Sequence, residues 1–287
     1  MIKDTALIFE GGGMRASYTA GALVTLLEEG IEFLDVYGIS AGSSHTVNYI
    51  SKDIWRSKVS FVDFMAGPGV AGWSQFLRGR GYFYAEYIYE IACMPGERLV
   101  FDFEAFLNNP ARPHIESLER DTGRTAYWGK DEMRTLPELM RRVRASSSMP
   151  FFMPPVKIDG QTYVDGGLGD SWGIPLAQAK RDGYKKFFIV RTQERGYRKQ
   201  PDRTPFPVKA LFHSHKILEE RMLTRHERYN DLLDEIDALE EKGGAYVFCP
   251  ATMLVKSTTV DGALLQESYR LGYEQARGEL SAWRNFL

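Results

Sequence analysis

Apolar residues along this chain come in short runs whose period changes from one run to the next. Residues 6–9 form a compact apolar run that stops at Gly11, Gly12 and Gly13, the pattern of a buried strand opening into a glycine loop. Over residues 15–29, Ala16, Ala20, Leu23 and Leu27 recur at helical spacing, and Gly30 supplies a C-terminal stop. A second short strand is predicted over 35–39. It runs directly into Gly38-Ile39-Ser40-Ala41-Gly42, and a helix is expected to follow through Asn48 and Tyr49. Strand, helix, strand, helix is the opening of a mainly parallel α/β sheet covered by helices.

Residues 55–109 are rich in aromatics and show no clear period. Beyond them, Asp121-Thr122-Gly123 separates two extended runs and predicts a hairpin within 112–128. Residues 137–145 read as a helix with proline in its first turn. The alternation over 156–164 around Asp159-Gly160 is a two-residue hairpin signal, and Asp165-Gly166-Gly167 follows its second strand. A helix is expected over 175–180 and a buried strand over 185–190. Three prolines mark residues 200–207 as a linker. Leu211, Leu218, Met222, Tyr229, Leu232, Ile236 and Leu239 then imply a long amphipathic helix ending at Gly243-Gly244. A short strand over 245–249 and a last helix over 261–283 complete the chain. The expected division is an α/β core over 1–200 and a mostly helical extension over 201–287, packed on the core.

Composition narrows the class. Of 287 residues, 44% are hydrophobic and 26% charged, an ordinary globular balance. A formal net charge of −2 gives no electrostatic reason to expect a nucleic-acid partner. Cys93 and Cys249 stand apart from each other and from any metal-ligand spacing, which reads as reduced thiols and no metal site. The N-terminus lacks the apolar core of a signal peptide, and no apolar stretch approaches the ~18 residues needed to span a bilayer. A cytoplasmic protein is expected, meeting lipid only from the water side.

Three short motifs carry the chemistry. Glycines on both sides of Ser40 let the chain turn sharply, so the hydroxyl projects from a strand end toward the free amides of the following helix. The glycine loop turns main-chain N–H groups toward one point, which suits either an oxyanion or a phosphate. Its dinucleotide-type pattern is imperfect, because Ala16 holds the last glycine position. Asp165 sits at a strand end before a flexible turn, which taken alone is only a turn signal.

Together, and in this order, they resemble the patatin-like phospholipase family. The match is carried by Gly11 to Arg15, Gly38 to Gly42, Asp165 to Gly167, and the run A-S-S-S-M-P-F-F-M-P-P-V beginning at Ala145. The resemblance covers about residues 7–190. It implies a three-layer fold with helices on both faces of a mainly parallel sheet. It implies a lipid acyl hydrolase with Ser40 as nucleophile and Asp165 as proton acceptor. Gly11, Gly12, Gly13 and Met14 are the implied oxyanion loop, with Arg15, Gly38, Gly42, Gly166 and Gly167 as supporting motif positions. No cofactor or metal is required. The substrate is expected to be a lipid or simple ester, with phospholipid, lysophospholipid and triglyceride all open; oligomeric state is not legible.

Two other readings stand beside it. An α/β-hydrolase triad would draw its histidine from His213, His215 or His226, although its nucleophile normally follows several strands. A non-catalytic phosphate or head-group binder would use the glycine loop alone. His45 is expected to be a packed histidine. Arg15 either attracts an anionic head group or is tied in an ion pair. Phe151, Phe152 and Met153 are candidates for an apolar wall raising the pKa of Asp165. Trp73, Phe76, Tyr82 and Phe83 with Arg78 and Arg80 suit either ordinary core or a peripheral membrane contact. Bases dominate residues 191–228 and acids 231–241, as solvated faces or a dipolar partner surface.

Overall fold

A computed structural model describes residues 1–201 and 215–287. Its strands are β1 (Thr5–Phe9), β2 (Asp35–Gly38), β3 (Arg112–Glu119), β4 (Thr125–Trp128), β5 (Val156–Ile158), β6 (Gln161–Asp165), β7 (Lys186–Val190) and β8 (Ala245–Phe248). They form one sheet in the order β5-β6-β3-β2-β1-β7-β8, with β4 also paired to β3. The five strands from β3 through β8 on that path run parallel, and β4, β5 and β6 are attached antiparallel. The hairpin joining β5 to β6 turns through Asp159 and Gly160, both at positive φ (50° and 81°), as the two-residue turn requires.

The helices are α1 (Ala16–Glu28), α2 (Ala41–Ile50), α3 (Ile54–Val59), α4 (Trp73–Leu77), α5 (Phe103–Asn108), α6 (Leu136–Ser147), α7 (Leu176–Arg181), α8 (Lys216–Glu241) and α9 (Gly262–Phe286). Helix α6 starts at a capping box, with Thr135 and Glu138 satisfying each other's backbone amides. Strict alternation along the central strands divides the core into three layers. Leu7 and Phe9 of β1 with Phe188 and Val190 of β7 face a cluster built with α1, α2, α6 and α9. Ala6 and Ile8 with Phe187 and Ile189 face the opposite cluster, closed by α7 and α8.

The aperiodic stretch 55–109 is a set of short helices and turns. Phe61, Phe64, Met65 and Phe83 are core, packed with Met14, Ala41 and Leu265. Trp73, Phe76 and Leu77 remain exposed. The expected linker over 200–207, Leu211 and His213 lie largely or wholly outside the described residues.

The C-terminal region does more than lie on the core. β8 extends the sheet beside β7. α9 crosses α1 at very close range, with Ser17 and Ser268 sharing a hydrogen bond of 2.9 Å. Two glycines permit that approach: a Cβ on Gly272 would collide with the carbonyl of Tyr18, and one on Gly21 with the backbone of Tyr273. The basic and acidic runs meet at the surface, through Arg195 on Glu240 and Arg198 on Asp234 and Asp237.

The glycine crossing predicts an inverted mutational sign. Helix propensity alone favours Ala over Gly by about 1 kcal/mol. Gly21→Ala or Gly272→Ala is expected instead to destabilise by roughly 1–3 kcal/mol, because the helices must separate. Urea unfolding reads this directly, and a raised midpoint for either variant would refute the packing.

Candidate active site

Register brings the three motifs together. Phe9 of β1 pairs with Gly38 of β2, which pairs with Ile115 of β3, so β1 and β2 end at the same level. Two residues beyond Ile115, Ser117 pairs with Asp165 at the end of β6. Two residues beyond Gly38 is Ser40. The glycine loop, the serine and the aspartate therefore leave the sheet at one edge, where ligands bind in open α/β sheets.

Ser40 occupies the turn between β2 and α2 at φ 55° and ψ −126°. A side-chain-bearing residue there costs on the order of 1–3 kcal/mol and persists only where its surroundings enforce it. The flanking glycines allow the turn: a Cβ on Gly38 would strike the carbonyl of Gly42, and one on Gly42 the carbonyl of Phe9. The Ser40 amide donates to Ser146 Oγ at 3.0 Å, and that hydroxyl donates to the Glu116 carbonyl at 2.6 Å. The Ser40 carbonyl is held by Ser43 Oγ at 2.6 Å.

The glycine loop has a narrower donor set than the motif suggests. The Gly11 amide donates to the carbonyl of Gly173 at 2.9 Å and the Met14 amide to the carbonyl of Ser257 at 3.0 Å. Both are spent on scaffold, which corrects their expected place among the oxyanion donors. Among the described residues, the amides of Gly12 and Gly13 have no hydrogen-bond acceptor outside their own turn. Gly13 has φ 56°, and a Cβ on Gly12 would press within 2.5 Å of Thr192 Oγ1, so both positions demand glycine.

The loop is anchored by a buried cluster that the motifs do not reveal. Glu10 accepts from the Thr192 amide at 2.6 Å and from the Tyr229 hydroxyl, and Arg191 Nε lies 3.7 Å from it. Tyr229 belongs to α8, so the C-terminal region braces the first strand's loop.

Asp165 is buried. Its amide donates to Ser148, and its Oδ1 accepts from the Gly167 amide at 2.7 Å. Oδ2 is sealed from solvent and lacks a formed hydrogen bond. Burial pushes the Asp165 pKa up; the positive charge of Arg225, the nearby Ser40 hydroxyl and the Gly167 amide partly oppose it. The Ser40 hydroxyl lies near enough to the carboxyl to favour its ionised form. Gly166 abuts the Glu116 carbonyl, and Gly167 leaves room for the Arg225 guanidinium.

A cleft of about 590 Å³ joins these groups. It is lined by the glycine loop, Ser40 and Asp165, by Phe151, Phe152, Trp73, Phe76 and Tyr82, and by Arg15, Lys199 and Arg225. Phe151 also packs with Leu118, Val164 and Leu168, extending the apolar side beside Asp165. Met153 instead lines a separate small cavity behind Ser40.

No described histidine joins the site. His45 is fully buried, with Nε2 at 2.9 Å from Thr19 Oγ1, and burial drives its pKa down to about 3. His215 faces Asp121 and His226 lies beside Glu227, both away from the cleft lining. His213 falls outside the described residues.

Comparison with known proteins agrees with this geometry. Residues 7–179 match the family model "Patatin-like phospholipase", and residues 215–287 match a "Domain of unknown function (DUF6363)". The chain belongs to the patatin-like phospholipase family, a class of lipid hydrolases. It is 27% identical over 192 residues to "Uncharacterized protein YjjU" of Escherichia coli K12, covering 65% of this chain and 51% of that protein. It is 24% identical to "Lysophospholipase NTE1" of Meyerozyma guilliermondii, over 99% of this chain and 20% of that protein. The chain thus spans about half and a fifth of these relatives. The fold is shared with VipD from Legionella pneumophila, at a TM-score of 0.52 and 13% identity, over 97% of this chain and 67% of that one. Among the described residues no helix is long and apolar enough to cross a membrane.

The Ser146 bridge gives a test of how the turn at Ser40 is held. Ser146→Ala leaves a buried amide and a buried carbonyl unpaired, for an expected loss of about 1–3 kcal/mol. A lower urea midpoint at unchanged slope is the expected result; no change would mean the turn does not depend on this hydroxyl.

Proposed function

We propose that the chain hydrolyses carboxylic esters of lipids through an acyl-Ser40 intermediate. The Ser40 proton passes to Asp165 as Oγ bonds the ester carbon, and the carbonyl oxygen takes negative charge opposite the Gly12 and Gly13 amides. Collapse breaks the ester bond, and the leaving alkoxide takes the proton from Asp165. Water then attacks the acyl-enzyme by the same route, giving a fatty acid and free Ser40. The observation that carries this reading is the common level of Ser40, Asp165 and the glycine loop at one sheet edge, with Ser40 in a strained turn. The burial of Asp165 supports it as well, since a raised pKa makes a carboxylate a better base near neutral pH.

Ser40→Ala and Asp165→Asn are each expected to lower kcat by roughly 10³-fold or more on a short-chain ester. A fluorophosphonate probe should label the wild type and not Ser40→Ala. Undiminished hydrolysis by Asp165→Asn would remove the aspartate from the mechanism. The base must be ionised, so kcat/KM should rise with pH through an apparent pKa above the usual aspartate value of about 3.9. Stability has the opposite slope. The folded state keeps the Asp165 proton to higher pH than the unfolded chain, so stability falls as pH climbs from about 3.9 through the raised value. Asp165→Asn should remove that fall and be the more stable protein at neutral pH.

The cleft mouth supports contact with an anionic lipid surface as part of this reading. Trp73 and Leu77 are 69% and 85% exposed, Phe76 lies between them, and Arg78 and Arg80 follow. Aromatic and aliphatic side chains beside arginine suit the interfacial zone of a bilayer. The double variant Trp73→Ala, Leu77→Ala should float with anionic vesicles less than wild type at equal fold stability. Equal flotation would exclude this segment as the contact.

A further inference from the structure

Arg15 and Arg225 feel carboxylates only through space: Glu10 acts on Arg15, and Arg225 acts on Asp165. Both line the cleft beside Ser40 and Asp165. Both have an Nε sealed from solvent without a hydrogen bond, and among the described residues neither guanidinium makes an ion pair. They lie close enough to repel each other. The nearby carboxylates act on them through space, but their hydrogen bonds go elsewhere. Glu10 is occupied by Thr192, Tyr229 and Arg191, and Asp165 gives Oδ1 to Gly167.

The contrast with Arg221 is informative. One turn earlier on α8, Arg221 binds Asp170 at 2.9 Å and the carbonyls of Gly123 and Leu168, and its guanidinium lies over the Trp172 ring. Arg225 instead reaches past Gly167 and Gly173, where the missing side chains make room. Its Nη2 would stand 2.9 Å from a Cβ on the first and 3.8 Å from a Cβ on the second. Two guanidinium groups without a direct ion pair among the described residues, in a partly dehydrated cleft, leave donors open to an incoming anion, and guanidinium forks suit phosphate oxygens.

We propose that Arg15 and Arg225 form an anion site for the phosphate of the lipid's head group, so that α8 of the C-terminal region selects net-anionic lipids over zwitterionic ones. The inference rests on the ester-hydrolase reading above and names its substrate class. A phosphate monoester, or a phosphodiester whose head alcohol is uncharged, adds negative charge beside the two guanidinium groups. A choline or ethanolamine head carries its own cation into the same field and gains less. Arg15 comes from the glycine loop and Arg225 from the region after residue 201, so head-group choice would require both parts of the chain.

The test separates binding from turnover. The full-length Ser40→Ala protein is titrated calorimetrically with monomeric dihexanoylphosphatidic acid, dihexanoylphosphatidylcholine, hexanoate and inorganic phosphate. The expected result is at least about tenfold tighter binding of the phosphatidic acid than of the choline lipid. Adding Arg225→Gln should reduce that ratio to near one, and Arg225→Lys should restore part of it. Arg15→Gln serves as the second variant if Arg225→Gln fails to fold, as read by circular dichroism. Equal binding of the two lipids would overturn the proposal. So would inorganic phosphate or hexanoate binding as tightly as the phosphatidic acid, since the site would then serve a free anion or the fatty-acid product. In turnover, Arg225→Gln should lower kcat/KM on the anionic lipid by roughly tenfold more than on the choline lipid. Equal losses would mark Arg225 as merely structural. Absence of all ester hydrolysis would instead sink the hydrolase reading, while the binding ratios would still decide the anion site.

Discussion

Everything at this site depends on holding Ser40 in a backbone conformation that its own side chain resists. The turn from β2 into α2 has to throw the hydroxyl outward, and only a left-handed residue does so in the space available. The structure closes around that residue from every side. Gly38 and Gly42 allow main-chain contacts that no Cβ would survive. Ser146 takes the amide and Ser43 the carbonyl, so the strained peptide has no unpaired polar group to drive relaxation. Because Ser146 is itself fastened to β3 through Glu116, the serine turn and the strand that places Asp165 are mechanically one unit.

The C-terminal region is part of this construction. β8 gives β7 a second parallel neighbour, and α9 clamps α1, the helix that the glycine loop opens. Tyr229 of α8 reaches Glu10, the residue immediately before that loop. Buried Glu10 would be costly alone; Arg191, Tyr229 and the Thr192 amide together make it tolerable and fix the loop's direction. A chain cut near residue 200 would lose a sheet strand, the Tyr229 hydrogen bond to Glu10 and one wall of the cleft.

Much of this was legible in the residues, and the misses have definite causes. The parallel strands, both hairpins and the order of the three motifs followed from period, turn residues and glycine placement, which are local signals. The donor set of the glycine loop was not legible. Gly11 and Met14 look identical to their neighbours in sequence, and only the carbonyls of Gly173 and Ser257, far along the chain, remove their amides. Ser146 was visible only as part of a serine run, because nothing local says which hydroxyl meets Ser40. Gly21 and Gly272 read as ordinary helical residues, since their purpose is a helix crossing between positions some 250 residues apart. The charge runs around 191–241 told nothing of the exposed ion pairs that join them, Arg195 to Glu240 and Arg198 to Asp237, because pairing between separate segments has no local signal.

On the proposed mechanism the aspartate works between two opposing influences. Burial raises the Asp165 pKa and favours its protonated form, while full exposure would leave it a weaker base. Arg225 opposes burial by favouring the carboxylate, and the apolar side with Phe151 keeps water from levelling the balance. No histidine is needed to span the gap, because the carboxyl stands next to the hydroxyl and its basicity is set by its surroundings. An anion settling on Arg225 would weaken that guanidinium's pull on Asp165 and make the carboxylate a stronger base as the substrate arrives. Head-group binding and proton acceptance would then be coupled through one side chain of α8, whose Nε is buried without a hydrogen bond.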